Sequence, residues 1–564
     1  MPSSGSPRDP HLTLLHLWGV SVGAAIGGNF VGWNSTLAGG LGGALLGLFV
    51  ATILYMTLSL CIAEMSAHTL KIGGSHTFVG ESPLGRLGAY LCGVAELLKI
   101  IPTGSVCVFA IASYVGHAVT VEAGQRHLVE VGIWFVSYGV FTLLNLMGVE
   151  ISVNFQVATT IASIAVLISF YLSSPAFLDF DKFALLDMGQ DGWFLGDVST
   201  IWISLPYSLW WYLGIESVPL LAGSVSNPAK VMPKAIIISM ATLAATAILT
   251  LILSSSVAPG VASLANSSAP LLDGFKALTD NKHLLFIVSA LVSLGLIVSF
   301  HCFVLYAGET VAVLATDGIL PACLGATHPR YNTPHVALIG SSTVGLGLLA
   351  LTVSTMSNYK AVSVLINLAV VGGLVAYILQ FLAYVSRPWA STGSGFRSPL
   401  GRKGAYVGLG LCVMLLGCEF YHATVEIAEA EGLLVSMLVF VIAIVVYWFP
   451  CLNKSMIRKR TPSSEGDEKG RAMAMVYCRE GMEGDGREEY RINIMTRLDL
   501  SSSLHSFSSS LSTLGGSGNG SSSSVGNLSS PQRRRGIGGG AASMRDSINA
   551  RGGVASRPLQ WCDV

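Results

Sequence analysis

The stretch Gly27-Gly28-Asn29-Phe30-Val31-Gly32-Trp33-Asn34 interrupts an apolar segment that runs from about Leu14 to Leu37. A second interrupted segment, from about Ile201 to Leu221, carries Pro206, Gly214 and Glu216. Each is long and apolar enough to span a membrane, and each holds residues that stop a helix partway. A broken helix leaves backbone N–H and C=O groups without partners, and hydrocarbon cannot supply them. Such breaks therefore persist only where they line a polar cavity. One break in each half of the chain points to a solute-binding site near the bilayer midplane.

Composition agrees. Apolar residues make up 52% of the 564 and charged residues 11%, where a soluble chain carries roughly a quarter charged. Stretches of roughly 17 to 25 mostly apolar residues fall near 14–37, 41–65, 87–116, 130–149, 154–174, 200–221, 233–256, 283–314, 335–355, 361–386, 404–423 and 432–450. The fold class expected is therefore an all-α polytopic membrane protein with 12 transmembrane helices. A formal net charge of zero gives no sign of nucleic-acid binding or of an acidic partner. Six of the cysteines (Cys61, Cys92, Cys107, Cys302, Cys412 and Cys418) lie inside apolar segments. No metal-ligand spacing occurs, so neither a metal nor a cofactor is expected. The first segment has no small-residue cleavage pattern, and a cleaved signal peptide is not expected.

With both termini cytoplasmic, the inner connections carry Lys71, Arg86, Lys230, Lys234, Arg330, Arg387, Arg397, Arg402 and Lys403. The outer ones carry Arg126, Lys182, Lys276, Lys282 and Lys360, and this asymmetry sets the orientation. Asn266-Ser-Ser falls in an outer connection and is a glycan acceptor if the cell is eukaryotic, whereas Asn34-Ser-Thr lies within a span and is unusable. Three regions follow: a cytoplasmic N-terminal segment (1–13), a transmembrane domain (14–450) and a Ser- and Gly-rich tail (451–564) expected to be disordered. The Ser-rich tail suggests a eukaryotic cell, with the plasma membrane as the default location.

At the first break, glycine lets the chain unwind and present N–H groups with the partial positive charge of a half-helix N-terminus. A carboxylate or another electron-rich group would be held there. Close helix packing is the plainer reading of the same glycines. In the sixth segment Glu216 places a carboxylate at membrane depth, which costs about 2.5 to 3.5 kcal/mol on insertion scales and usually marks function. It is a candidate for loading and releasing a proton, or else an acceptor that caps the broken helix. The neighbouring Trp210, Trp211 and Tyr212 offer ring faces to an ammonium group. In the third segment Glu96 and Lys99 share a helix face and can pair; the pair is either mutually neutralising or a coupling determinant in which Lys99 replaces a cation. Thr159, Thr160, Ser163, Ser293 and Ser299 could offer hydroxyls to sodium, or serve as ordinary inter-helix hydrogen-bonders.

Several motifs together resemble the amino acid/polyamine/organocation permease superfamily. They are Gly23-Ala-Ala-Ile-Gly-Gly-Asn29, Ala63-Glu64-Met-Ser66 with Gly73-Gly-Ser-His-Thr-Phe78, Leu209-Trp-Trp-Tyr-Leu-Gly-Ile-Glu-Ser217, Asn227-Pro228 with Pro233, and Thr333-Pro-His335. Gly93-Val-Ala-Glu96, Ser299-Phe-His301 and Phe30-Val-Gly-Trp-Asn34 look most like its ethanolamine permease branch. The resemblance implies a five-plus-five inverted repeat with broken helices 1 and 6, plus two further helices. It also implies secondary transport of amino acids or related small amines such as ethanolamine, coupled to H+ or Na+, rather than enzymatic activity. By position, Ala25, Gly27, Gly28 and Asn29 would supply backbone contacts to the solute. Trp210, Trp211, Leu213, Gly214 and Ile215 would shape the pocket, and Glu216 would serve proton coupling with Glu96 and Lys99. Departures from the family pattern are His68 to Ile72, where a proline is common, Gly223-Ser224 in place of an acidic pair, Glu309 in place of a base, and Lys99 where a second acid is frequent. The alternative function is a membrane-resident amine sensor that signals through the long tail. Oligomeric state is not readable from the sequence.

Overall fold

The computed structural model describes residues 12–69, 73–118, 125–185, 192–279, 281–387, 389, 395–425 and 427–448. The tail from 451 onward and residues 1–11 lie outside them. Among the described residues there is no strand, and ten helices are long and apolar enough to cross a membrane. The two expected spans missing from that set are the first and the sixth, because both are broken. The chain is an all-α polytopic membrane protein.

The first span opens as α1 (Leu14–Ile26), started by Thr13, whose hydroxyl accepts from the His16 amide while the His16 ring accepts from the Thr13 amide. It gives way at Gly27–Asn29 to a 3₁₀ turn and resumes as a second 3₁₀ stretch, Trp33–Gly39. The sixth opens as α6 (Val198–Ser204), continues as a 3₁₀ stretch from Leu205 to Trp211 around Pro206, and breaks at Gly214 before Ile215–Ser224. Pro206 has no N–H to give, and Gly214 stands at φ 106°, a conformation that side-chain-bearing residues rarely adopt.

The uninterrupted spans are α2 (Gly40–His68), α3 (Gly85–Ala118), α4 (Arg126–Leu146), α5 (Val149–Ser173), α7 (Pro228–Ser255), α8 (Lys282–Thr316), α9 (His335–Thr355), α10 (Asn358–Ser386), α11 (Gly401–Val425) and α12 (Ile427–Trp448). They match the expected segments to within a few residues. The largest offsets are at the starts of α4, α5, α7 and α12, where polar residues and Pro228 open the helix earlier than hydropathy alone indicates. α3 packs along α8 and α10, and α1 along α5, α7 and α8, so the broken spans face the interior rather than lipid. Asn34 is fully buried and donates to the Leu264 and Ser267 carbonyls, which accounts for its uselessness as a glycan site. Asn266 is exposed.

Candidate functional site

A cavity of about 530 Å3 opens from the first break. Its floor is made by Ala24, Ala25, Gly27 and Gly28 of the first span, Trp210 and Leu213 of the sixth, Thr103 of α3 and Ser299 of α8. Its mouth is made by Arg126, His127 and Glu130 at the start of α4, Asn358 at the start of α10, and Ser268. These mouth residues lie at the ends of helices on the face opposite the start of α1, so the cavity reaches one side of the molecule only.

Two close approaches shape the floor. The Trp210 carbonyl oxygen occupies the space a Cβ on Gly28 would need, so the two breaks touch through main chain and position 28 admits only glycine. Ser299 Oγ accepts from the Gly27 amide (2.9 Å) and donates to the Gly23 carbonyl (2.8 Å), replacing hydrogen bonds that the unwound helix has lost. The other hydroxyls proposed for sodium also give their protons to main-chain carbonyls. Thr160 donates to the Gly19 carbonyl, while Thr159, Ser163 and Ser293 each donate to a carbonyl one turn back on their own helix.

Of the expected pocket residues, Ala25, Gly27, Gly28, Trp210 and Leu213 line the cavity. Asn29, Trp211, Gly214 and Ile215 do not. Asn29 Oδ1 accepts from Thr250 on α7 at 3.0 Å, and Trp211 stacks on Trp33 with ring centroids 5.2 Å apart. The Ile215 carbonyl accepts from Ser21, and Gly214 gives its amide to Glu216 Oε2 at 3.1 Å. Of the aromatic trio only Trp210 faces the solute space, since Tyr212 is held by Thr52 at 2.7 Å.

The ionisable candidates converge one turn beneath the floor. The Thr103 hydroxyl donates to the Lys99 carbonyl at 2.6 Å, and four residues of helix place Lys99 about 6 Å deeper. Its ammonium is fully buried, lies 2.7 Å from Glu96 Oε2 and also pairs with Glu216 Oε1. Two residues that sequence reasoning missed complete the cluster. Tyr377 of α10 donates to Glu216 Oε1 at 2.8 Å with its ring 5.3 Å from the Lys99 nitrogen, and Gln380, one turn on, donates to Glu96 at 3.3 Å. Tyr55 of α2 shares a hydrogen bond with Tyr377 (3.0 Å) and reaches the Leu209 carbonyl (3.4 Å) at the sixth-span break. The sole sequence signal for this pair was the i, i+3 spacing of Tyr377 and Gln380 within the stretch of α10 between Asn367 and Tyr384, which is otherwise without polar side chains. Glu216 therefore caps the broken span and also pairs with Lys99.

On the face where α1 begins, the path is closed. Glu64, at the end of α2, accepts from Tyr384 at 2.5 Å and from the Ser398 amide at 2.9 Å, and Arg387 reaches Glu81 at 3.1 Å. Leu12 donates to the Ser224 carbonyl at 2.8 Å.

A family model described as "Amino acid permease" matches residues 12–451. An uncharacterized transporter of Rhizobium meliloti is 25% identical over 482 residues, covering 81% of this chain and 96% of that one. The methylthioribose transporter of Bacillus subtilis is 24% identical, covering 72% of this chain and 86% of its own. The human cystine/glutamate transporter is 26% identical, covering 60% and 69%.

Proposed function

The chain belongs to the amino acid permease family, a family of transporters and not of enzymes, and from that premise we propose that it carries an amino acid or a related small amine across the bilayer by alternating access, driven by protons. The observation that carries this reading is the contact of Glu216 with both the sixth-span break and Lys99, directly under the solute cavity. Two carboxylates and one ammonium leave a formal charge of −1 when all are ionised, in a place water does not reach. One proton brings the cluster to neutrality, and its arrival or departure alters the hydrogen bonds that hold the break.

The first break would take the solute's carboxylate, or a hydroxyl where there is none, through main-chain N–H groups. The Trp210 ring face and nearby carbonyls would take the ammonium. The buried carboxylates beside Lys99 make H+ the coupling ion of this reading, with Na+ the alternative to test. Rocking of the broken spans against α3 and α8 would close the mouth and open the Glu64–Tyr384 side in turn. The positive-inside count supports a reading with the mouth outside and both termini in the cytoplasm, and the plasma membrane of a eukaryotic cell is the proposed site. Likeness to the ethanolamine permease branch keeps that amine among the solutes to test.

The test is uptake by purified protein in proteoliposomes under an imposed proton gradient. Glu216→Gln is expected to abolish accumulation against a gradient while retaining solute exchange. Unimpaired accumulation in that variant would remove Glu216 from the mechanism. A sensor signalling through residues 451–564 is the second reading, favoured by the length of that tail; full-rate uptake by protein truncated after residue 450 counts against it.

A further inference from the structure

We propose that the transported solute bears a neutral apolar side chain of leucine size or larger, a specificity that rests on the transport reading above and names its substrate class. The wall between floor and mouth is built without charge. On α3, Thr103, Val106, Cys107 and Ala110 recur at helical spacing along one face of the cavity, and Val362 and Ile366 of α10 line it too. Phe303 of α8 lies over the second break, close enough that a Cβ on Gly214 would stand 3.2 Å from its ring. Higher up, Phe109 and Trp134 lie with centroids 6.4 Å apart.

Among the described lining residues the charged groups and the histidine all sit at the mouth, on α4. There Arg126 Nε is 3.3 Å from Glu130 Oε1, so the two charges serve each other. At the floor the Thr103 and Ser299 hydroxyls are already bonded to the Lys99 and Gly23 carbonyls. A solute whose head group occupies the first break therefore directs its side chain against methyl, methylene and ring surface. A lysine- or glutamate-like side chain would lose much of its hydration there and, below the mouth, meet no opposite charge among the described lining residues. Ethanolamine would fill only the floor of a cavity of about 530 Å3 and leave that apolar wall uncovered.

The experiment is counterflow into proteoliposomes of the full-length chain, with labelled leucine, phenylalanine, alanine, lysine, glutamate and ethanolamine each at limiting concentration. Leucine and phenylalanine are expected to exceed lysine, glutamate and ethanolamine by at least about tenfold, through the desolvated charge of the first two and the missing apolar carbons of the third. Faster uptake of lysine, glutamate or ethanolamine overturns the specificity and leaves the transport reading standing. Uptake of none above protein-free vesicles overturns both. Ala110→Phe and Val362→Phe fill the cavity from two different helices, and each is expected to lower the phenylalanine-to-alanine rate ratio at least about fivefold, by the same reasoning. An unchanged ratio in either correctly inserted variant overturns the placement of the side chain against that wall.

Discussion

Lys99 is the residue on which the buried cluster depends. Removing one partner of a buried ion pair leaves the other charge desolvated and alone, at a cost of about 3 to 5 kcal/mol, whereas removing both is far milder. Lys99→Met is therefore expected to lower thermal stability in detergent by that order, because Glu96 and Glu216 would face each other across an apolar gap. Lys99→Met combined with Glu216→Gln should recover a large part of the loss. Equal melting of wild type and Lys99→Met would show that the ammonium does not hold the carboxylates. His76, in the short helix Ser75–Gly80, gives a separate pH dependence. Burial lowers its pKa from 6.5 to about 4, and the Asp317 carboxylate at 3.8 Å pulls the other way but is 42% exposed and screened. The unfolded chain takes up this proton below about 6.5 and the folded one only near 4, so the contribution is fully present above pH 6.5 and is lost as pH falls toward 4. The full loss is on the order of 3 kcal/mol. Melts at pH 7, 5.5 and 4.5 should fall more steeply for wild type than for His76→Gln, and parallel curves would refute it.

At the scale of elements, the breaks were legible because their cause is local. Gly27-Gly28 and the Pro206-to-Gly214 stretch carry residues whose covalent structure stops a helix, whatever surrounds them. The Glu96–Lys99 contact was legible for the same reason, since three residues of helix bring them together. Tyr377, Gln380 and Tyr55 were not. They meet Glu216, Glu96 and Leu209 across 161, 284 and 154 residues of chain. In helices that are apolar all round, periodicity does not say which face turns inward. The same limit holds for the side chains of Asn29 and Trp211, which turn toward Thr250 and Trp33. The mechanical role of the second break can be tested at Gly214. An alanine there would carry its Cβ at φ 106° and set it 3.1 Å from Ala24 Cβ. Backbone strain of about 1 to 3 kcal/mol is expected. Gly214→Ala should lose that much stability and, because relief of the strain must shift the main chain whose amide meets Glu216, most of its gradient-driven uptake. A variant that melts lower yet accumulates solute normally would separate the break from coupling.

For the whole molecule, the cavity, the buried cluster and the Glu64–Tyr384 contact follow one another from the mouth to the opposite face, open at one end and sealed at the other. Sidedness of this kind is what alternating access requires of a single state, and two free cysteines report on it. Cys107 lines the cavity, while Cys323 is exposed in the connection between α8 and α9, on the face where α1 begins. In oriented vesicles, a membrane-impermeant thiol reagent applied at the mouth should modify Cys107, slowly because the side chain is nearly buried in the cavity wall, and not Cys323, as read by peptide mass spectrometry. Applied at the other face it should modify Cys323 and spare Cys107. A transported solute should protect Cys107 by occupying the space beside it, and an added proton gradient should change its rate of modification by shifting the population of states. Modification of Cys107 from the Cys323 side, at a rate equal to or above that from the mouth, would mean that the sealed face is the open one in the membrane.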